Sequence, residues 1–243
     1  MIGLRTRSMA KLFRGIAVSA DTLNDVVEEI HSSGLRASNA NQWQNEMPDP
    51  ESIREYQAEL LTVPSKIRDS ILAMPAKPAV YACGDLFGAS YYALSHNKSH
   101  QKPCSIVITF EAPIEALSID GRDFLYTAFQ LWDKSGKQNR DKVRQILARL
   151  FGQRILHYFD LASGSNETLA RIGLCDLACY DLEVVSAHIT NSVLIRGRHS
   201  TQFCSSFELP LPIPPQSIRS VNILPTNPTE PRQSISLDDV LNY

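Results

Sequence analysis

The chain has 243 residues, 43% of them hydrophobic, and its 24 basic and 26 acidic side chains give a formal net charge of −2. This length suffices for one large domain or two small ones with a substantial buried core. The near-neutral balance excludes binding to nucleic acid or to an anionic membrane through global charge, so any such binding must use a local basic patch.

Targeting and membrane signals are weak along the whole sequence. The N-terminal stretch MIGLRTRSMAKLFRGIAVSA has early arginines but lacks the uninterrupted apolar run of a secretory signal. No later window approaches the roughly 20 apolar residues that a membrane span needs. The five cysteines are an odd number, so at least one stays unpaired in any disulfide scheme, and reduced thiols are the simpler expectation. We therefore expect a soluble, cytoplasmic protein with no membrane partner.

The first third of the chain predicts a strand followed by helices. The apolar run KLFRGIAV predicts a strand that opens the fold, and DTLNDVVEEIHSSG predicts an amphipathic helix with Asp21 or Thr22 as its N-cap and Gly34 as its end. Residues 36–50 are polar and predict a loop. PESIREYQAELL and PSKIRDSILAM each begin with proline and keep helical spacing, which predicts two more helices.

The middle of the chain is predicted to be largely helical, and its end to be stranded. AVYACG and SIVITFEA predict strands, and between them DLFGASYYALSH predicts a helix with an acid in its first turn. Residues 122–133 and 138–160 predict helices, and NETLARIGL a short one. From Asp181 onward the pattern changes to four predicted strands, namely LEVVSAHI, SVLIRG, TQFCSSFEL and IRSVNIL.

The order of these elements indicates the fold class. Strands at the start, middle and end around an α-rich centre predict one α+β domain over residues 1–225, with the strands of both ends in a common sheet. Residues 226–243 are polar and contain prolines, so they predict a loosely attached tail, unless LDDVLNY docks on the domain.

Three residues stand out as candidates for chemistry. Arg14 lies within a strand-like run, where a guanidinium is costly to bury unless it is paired or binds an anion; the alternative is a rim arginine with its head in water. Tyr81 ends a strand before a Gly-Asp turn, where a side chain faces either a cleft or the core. Glu208 lies on a strand, where an inward carboxylate is costly and an outward one unremarkable. None of the three decides the function alone.

The three residues lie in three sequence motifs that follow one another along the chain as they do in a known family. The chain resembles the ADP-ribosyltransferase superfamily, the toxin-like enzymes that cleave NAD and move ADP-ribose to an acceptor. KLFRGI, followed by a helix and SSGLRAS, is similar to the family's first motif, and VYACGDLFGASYYAL to its second, where the nicotinamide end of NAD binds. FCSSFELPLPIPPQSIRSV is similar to the third, an acid on a strand followed by Ile-Pro and a closing strand. The resemblance spans residues 11–224 and implies a catalytic domain with an ADP-ribosyltransferase-like split β-sandwich and an α-rich middle insertion.

The resemblance also implies roles for individual residues, with NAD as co-substrate. Glu208 would stabilise the oxocarbenium-like cation that forms when the nicotinamide–ribose bond breaks. Arg14 would hold the pyrophosphate or ribose region, and Tyr81 would stack on the flat cationic nicotinamide ring. The backbone of Gly15 would anchor the nicotinamide amide. The implied catalytic residues are Glu208, Arg14 and Tyr81, and the implied NAD-binding residues are Arg14, Gly15, Tyr81, Ala82 and Cys83.

Two departures from the family pattern bear on the acceptor. Many members have Ser-Thr-Ser where this chain has YACG, so Tyr81 would fill that position. Members that modify arginine usually have Glu or Gln two residues before the catalytic acid, and here that residue is Ser206. Modification of protein arginine is therefore disfavoured. Gln202 lies six residues upstream of Glu208 and would need a bulge or turn to serve instead.

A metal site is a competing hypothesis. HNKSH places His96 and His100 four residues apart, and CDLAC does the same for Cys175 and Cys179, as two halves of a zinc site would. The spacing is generic, and the alternative is a loop and an apolar helix face. We expect no metal.

A basic cluster lies close to Glu208 in the sequence. LIRGRH provides Arg196, Arg198 and His199, which would either attract a phosphate of the acceptor or coat the surface. The sequence has no phosphate-loop, GxGxxG or Gly-x-Ser-x-Gly pattern, which weakens kinase, Rossmann and hydrolase interpretations.

The leading hypothesis is a bacterial or phage-type mono-ADP-ribosyltransferase toxin or effector that modifies RNA, DNA or protein and has an antitoxin or chaperone as a partner. One alternative is an NAD-degrading toxin, since PAVYACGD also resembles the RES-type toxins, although their Gly-Gly-Arg-Trp stretch is missing. Another alternative is a non-catalytic module that retains the fold.

Overall fold

The computed structural model describes residues 8–36, 79–131, 137–164, 168–225 and 234–243. The helices predicted for PESIREYQAELL and PSKIRDSILAM lie outside these residues. The strands are β1 Met9–Val18, β2 Ala79–Cys83, β3 Cys104–Pro113, β4 Ser118–Ile119, β5 Arg198–His199, β6 Gln202–Phe203, β7 Ser206–Pro210 and β8 Ile218–Ile223. The α-helices are α1 Leu23–Ser33, α2 Leu86–Tyr91, α3 Phe124–Leu131, α4 Lys137–Phe151, α5 Ile155–Ser163, α6 Thr168–Tyr180, α7 Leu182–Ser192 and α8 Leu237–Asn242.

A six-stranded antiparallel sheet organises the molecule, with strand order β4-β7-β2-β1-β3-β8. Strands β5 and β6 form a separate antiparallel ribbon. The predicted α+β class is confirmed, and so is the shared sheet of the terminal strands, in which β1 is central and β8 lies at an edge. The strands of the three quoted motifs, β7, β2 and β1, are neighbours in this sheet.

The two central strands of the sheet, β1 and β2, pair over a short length only. β1 pairs with β3 along its whole length, from Met9 opposite Pro113 to Val18 opposite Cys104. β2 likewise pairs with β7 along all of its residues. Within the described residues, however, β1 and β2 are in register only at Phe13 and Cys83. We call this short pairing between β1 and β2 the seam. It divides the sheet into the halves β4-β7-β2 and β1-β3-β8.

Helix α2 fixes the end of β2 against β1. Asp85 caps α2 by accepting a hydrogen bond from the backbone N–H of Gly88 at 2.9 Å, as the acid expected in the first turn would. The helix runs on into a π-helical turn, Tyr92–His96. Gly15 of β1 lies so close to this helix that a Cβ atom there would be 1.8 Å from the carbonyl oxygen of Ala89. Only glycine therefore permits this approach of strand and helix.

The predicted helix over 21–34 is confirmed as α1. Thr22 occupies its N-cap position, although its side chain makes no capping hydrogen bond. Gly34 follows the last turn with φ 71°, a conformation that glycine adopts more readily than other residues, and its backbone N–H donates to the carbonyl of Ile30.

Helices α3 to α7 pack against the main core of the protein. Phe124, Leu147, Phe151, Phe159 and Val185 are completely or almost completely buried there. The single helix predicted over 138–160 is two helices, α4 and α5, because Gly152 interrupts the chain with φ 77°. The short helix predicted for NETLARIGL extends to Tyr180.

The strand predicted for LEVVSAHI is wrong, because this segment is helix α7. Asp181 caps it by accepting hydrogen bonds from the backbone N–H groups of Glu183 and Val184. Its buried residues recur at helical spacing on one face: Val184, Val185, His188, Ile189 and Ser192. The β-branched residues that suggested a strand are instead the apolar face of this helix.

The strand predicted for SVLIRG is also wrong. Ser192 ends α7, a turn follows, and Gly197 has φ 97°. Only the next two residues, Arg198 and His199, are extended, in the short ribbon with β6. TQFCSSFEL contains two strands, β6 and β7, rather than one.

The C-terminal segment docks on the helices. Ser236 and Asp239 form a capping box at the start of α8, and Val240 is fully buried. Lys142 of α4 forms an ion pair with Asp238. Of the two alternatives for the tail, docking of LDDVLNY therefore describes residues 237–243. None of the described helices combines the length and the apolar character that crossing a lipid bilayer requires.

Candidate functional site

The three candidate residues lie on three adjacent strands. Glu208 of β7 is directly opposite Tyr81 of β2 in the antiparallel register. Arg14 of β1 donates a hydrogen bond from Nη1 to the backbone carbonyl of Tyr81 at 2.7 Å. The fold thus brings together residues that are far apart in the sequence, and this hydrogen bond crosses the seam.

Arg14 is buried, with 7% of its surface exposed, so the alternative of a rim arginine is wrong. Burial, reinforced by the nearby positive charge of Arg122, lowers the pKa of Arg14 to about 10. The guanidinium therefore remains charged at neutral pH, in a place where a buried charge needs a counter-charge or directed acceptors.

Tyr81 is half-buried beside a second arginine. Burial raises the pKa of its hydroxyl, and the negative charges of Glu208 and Asp120 raise it further. The guanidinium carbon of Arg122 lies 4.3 Å from the centroid of the Tyr81 ring, which is a cation–π distance. One face of the ring is therefore covered by a planar cation, so a flat ligand would stack on the other face or displace Arg122.

Glu208 is half-buried between Tyr81 on one side and Ser118 of β4 on the other. Burial raises the pKa of its carboxyl above the usual 4.5, and the negative charge of Asp120 adds to this effect, while Arg122 opposes it. A pocket of about 260 Å³ opens beside Glu208 and is also lined by Ser118 and Tyr180.

Asp120 and Arg122, which were not predicted from the sequence, complete the charged part of the site. Arg122 donates from Nε to Asp120 Oδ2 at 2.8 Å, and its side chain is 44% exposed. Burial lowers the pKa of Arg122, but the adjacent Asp120 carboxylate outweighs this effect and the pKa is raised. The pair lies in the turn after β4, where neither hydrophobic periodicity nor a motif marks it.

Ser206, two residues before Glu208, has a structural role. Its hydroxyl donates to Asp120 Oδ2 at 2.8 Å, and its carbonyl accepts from the backbone N–H of Asp120 at 3.0 Å. The side chain is buried. Gln202, the upstream substitute, lies in β6, a ribbon separate from the strand of Glu208. The side chain at position 206 is therefore used to hold Asp120.

A buried histidine–carboxylate pair supports the strand that carries Glu208. His188 Nε2 lies 2.8 Å from Asp123 Oδ2, and its Nδ1 lies 3.0 Å from the carbonyl oxygen of Leu150. The same Asp123 oxygen accepts from the backbone N–H of Ser206 at 2.7 Å. Both partners are fully buried. The pair joins α7 and the start of α3 to β7, and the wrong strand assignment for residues 182–189 concealed it.

The other residues of the implied NAD-binding set lie near the seam. The carbonyl of Gly15 accepts from Asn97 Nδ2 at 2.9 Å, and Gly15 faces α2. Ala82 packs into the main core. Cys83 is buried in a smaller cluster with Ala89 and others, and burial raises the pKa of its thiol well above the usual value. Cys83 is therefore a neutral thiol at physiological pH.

The residues of the metal hypothesis are placed as follows. Cys175 and Cys179 are both buried on α6, and all five cysteines of the chain are free thiols. His96 packs edge-on against Tyr92, with ring centroids 5.3 Å apart. Over the described ranges, no three histidine, cysteine or acidic side chains are grouped so that they could hold a metal ion.

The three basic residues of LIRGRH contact two different parts of the protein, helix α2 and the C-terminal segment. The guanidinium carbon of Arg198 lies 4.3 Å from the Tyr91 ring centroid, and that of Arg196 lies 5.6 Å from the Phe87 ring centroid. His199 instead contacts the C-terminal segment, with Nδ1 2.9 Å from the carbonyl oxygen of Ile235. The two arginines thus share α2 as a neighbour, and the histidine does not belong with them.

Comparison of the chain with protein-family models, with curated proteins and with solved structures finds no match. The functional interpretation of the site therefore depends on its own residues and their geometry.

Proposed function

We propose that the chain is an NAD-dependent mono-ADP-ribosyltransferase of the toxin or effector kind, which transfers ADP-ribose to a macromolecule in the cytoplasm. The observation that carries the proposal is the placement of Glu208, Tyr81 and Arg14 on three adjacent strands, with Tyr81 directly opposite Glu208 and bonded through its carbonyl to Arg14. These are the residues that the three quoted motifs single out. The seam between β2 and β1 supports a split sheet of the ADP-ribosyltransferase type.

The proposed chemistry uses the carboxylate of Glu208. When the nicotinamide–ribose bond breaks, its electron pair leaves with nicotinamide, which becomes neutral, and positive charge develops on the ribose. A carboxylate beside the ribose stabilises that charge more strongly in the transition state than in the bound substrate. A nucleophile of the acceptor then forms the new bond to the ribose and loses its proton. The pocket beside Glu208 offers room for the ribose.

Arg14 and Arg122 would hold the anionic part of NAD. The positive charge of Arg122 contributes to the lowered pKa of Arg14, so the two guanidinium groups lie near each other. A pyrophosphate beside them would accept directed hydrogen bonds from both groups. Tyr81 would present the ring face that Arg122 leaves open to the nicotinamide.

NAD hydrolysis, as in the RES-type toxins, is the second candidate. The observation in its favour is that the hydroxyl of Ser206 is hydrogen-bonded to Asp120, so this position does not present a side chain that directs an acceptor. In that case water would replace the acceptor in the second half of the reaction. If the protein is a toxin of either kind, a neutralising antitoxin or a chaperone is its expected partner.

Substitution of Glu208 by Gln tests the proposal. We expect NAD turnover to fall about 100- to 1,000-fold, because a charged group that acts in the transition state is lost while the shape is kept. The thermal unfolding midpoint should stay unchanged. Glu111→Gln is the matched control, since Glu111 is a surface carboxylate paired with Arg219 and should leave turnover as it is.

Labelled NAD incubated with the protein and a cell extract then separates the candidates. Label that nuclease removes and protease does not indicates transfer to nucleic acid, and label that protease removes and nuclease does not indicates transfer to protein. Label in free ADP-ribose indicates hydrolysis. Undiminished turnover by the Glu208→Gln variant would contradict both. Failure of the wild-type protein to bind NAD in calorimetry would favour a non-catalytic module.

A further inference from the structure

Two arginines beside the candidate site lie over two aromatic rings of one helix. Arg198 lies over Tyr91, and Arg196 lies over Phe87, at 4.3 and 5.6 Å from the ring centroids. Phe87 and Tyr91 are four residues apart on α2, so their side chains lie on the same face of the helix. The two cation–ring pairs are therefore neighbours. We call the surface formed by Phe87, Tyr91, Arg196 and Arg198 the Tyr91 surface.

The Tyr91 surface is continuous with the candidate site. The ring centroids of Tyr91 and Tyr92 are 6.5 Å apart, and Arg122 lies 5.6 Å from the Tyr92 centroid. Arg122 in turn covers Tyr81. The backbone shows the same continuity, because Arg198 pairs with Phe203 in the β5–β6 ribbon and the N–H of Phe203 donates to the carbonyl of Arg122 at 2.9 Å. The Tyr91 surface is thus joined to Tyr81 through Tyr92 and Arg122.

The side chains around the Tyr91 surface favour a ligand that is anionic and also has flat apolar groups. Arg196 is exposed, and the chain as a whole has a net charge of −2, so the positive charge here is local. Asp85, the acid that begins α2, is buried and is occupied by the backbone N–H groups of Gly88 and Gly197. Leu86, next to Phe87 in the sequence, and Leu194, two residues before Arg196, are both exposed apolar side chains.

We propose that the Tyr91 surface binds single-stranded nucleic acid, which is the acceptor of the reaction proposed above. The guanidinium groups would neutralise phosphates, and unpaired bases would stack on the arginine planes and the tyrosine and phenylalanine rings. An acidic protein segment would form ion pairs with the arginines but would not provide flat rings to stack on the arginine planes and the aromatic rings. The binding part of the inference stands on the surface alone, and the assignment as acceptor rests on the proposed function.

The test measures binding without NAD, so that it is independent of turnover. Fluorescence anisotropy of labelled single-stranded DNA and RNA of about 16 nucleotides should show binding by the wild-type protein that weakens between about 50 and about 200 mM salt. The double variant Arg196→Gln/Arg198→Gln should bind at least ~10-fold more weakly and with a shallower salt dependence, because two phosphate contacts are lost. Tyr91→Leu should weaken binding and leave the salt dependence unchanged.

Controls separate this result from general effects of charge and folding. Arg219→Gln removes an arginine of β8 and should leave binding unchanged. Circular dichroism and thermal unfolding verify that each variant is folded, and if the double variant is not, Arg196→Gln alone serves, since Arg196 is exposed. Release of nicotinamide by the double variant in the absence of acceptor should match that of the wild-type protein.

Several outcomes would overturn the proposal. Absence of wild-type binding at low salt would do so, as would equal binding by the double variant and the Arg219→Gln control. Displacement of the oligonucleotide by poly-glutamate at the same charge concentration would replace it with an acidic protein partner. Nucleic-acid binding without any NAD turnover would instead preserve the surface and contradict the proposed function.

Discussion

The ionisation of Glu208 is controlled by two oppositely charged neighbours. Burial and Asp120 raise the pKa of the carboxyl, and Arg122 lowers it. Since Asp120 and Arg122 are also bound to each other at 2.8 Å, a change in either one alters the field at Glu208. The proposed reaction needs the ionised form, so this local balance determines the acidic limit of activity.

The pH dependence of NAD turnover tests this balance. We expect kcat/KM to fall as the pH falls through the raised pKa of Glu208. In Asp120→Asn the acidic limb should move to lower pH, because a negative neighbour is lost and Arg122 is less neutralised. In Arg122→Gln it should move to higher pH. If both variants keep the wild-type profile, another group controls the limb.

At the level of single residues, the sequence was informative where a residue conflicts with its local pattern. Arg14 in an apolar strand and Glu208 on a strand both stood out, and the fold brings them to one site with Tyr81. Asp120 and Arg122 lie in a polar turn, where charged residues are ordinary. Their importance arises only from the neighbours that the tertiary structure gives them, so no local pattern could reveal it.

At the level of elements, the contact of β1 with α2 is the tightest constraint near the site. We expect Gly15→Ala to destabilise the protein by about 3 kcal/mol or more, because the added methyl group would meet the backbone of Ala89 rather than a flexible side chain. Urea unfolding followed by circular dichroism measures the change.

A second glycine provides the control for this substitution. At Gly121 the nearest atoms to an added Cβ belong to Tyr126 and are 3.8 Å away, which is ordinary contact. Gly121→Ala should therefore change the free energy of unfolding by less than about 1 kcal/mol. Equal effects of the two substitutions would show that α2 can move away from β1.

Helix α7 shows why the first segment after Asp181, LEVVSAHI, was mispredicted as a strand. Its residues are rich in β-branched side chains, which favour strands as isolated residues. The cap at Asp181 and the spacing of the buried residues favour a helix, and packing on the core decides between the two. By contrast β1, β2 and β3 were predicted from the same kind of pattern, since prolines, glycines or a polar segment bound each of them.

At the level of the whole molecule, α8 ties the C-terminal end of the chain to the helical layer. Val240 is fully buried, so Val240→Ala should lower the free energy of unfolding by about 2 kcal/mol. Tyr243→Ala is the control, because Tyr243 is exposed and should cost less than about 0.5 kcal/mol. Thermal or urea unfolding measures both. An unchanged stability of the Val240 variant would show that α8 detaches freely.

The strand order could not be read from the sequence, although the strand that opens the fold and the strand IRSVNIL near its end could. Neighbouring strands in this sheet come from distant parts of the chain, as in the pairing of β2 with β7 and of β3 with β8. Pairing of that kind is determined by the packing of the entire core, and the local pattern of each strand is compatible with many partners.

The seam lies between the proposed catalytic groups, so their spacing depends on how the two halves of the sheet are joined. Arg14 belongs to the half β1-β3-β8, whereas Tyr81 and Glu208 belong to the half β4-β7-β2, and within the described residues the two halves are in register at one position. The distance between the Arg14 guanidinium and the Glu208 carboxylate therefore depends on how the two halves are placed relative to each other, which helix α2 helps to fix. A dinucleotide held at both ends would add a contact between the two halves to those already made by helix α2 and by the hydrogen bond from Arg14 to Tyr81.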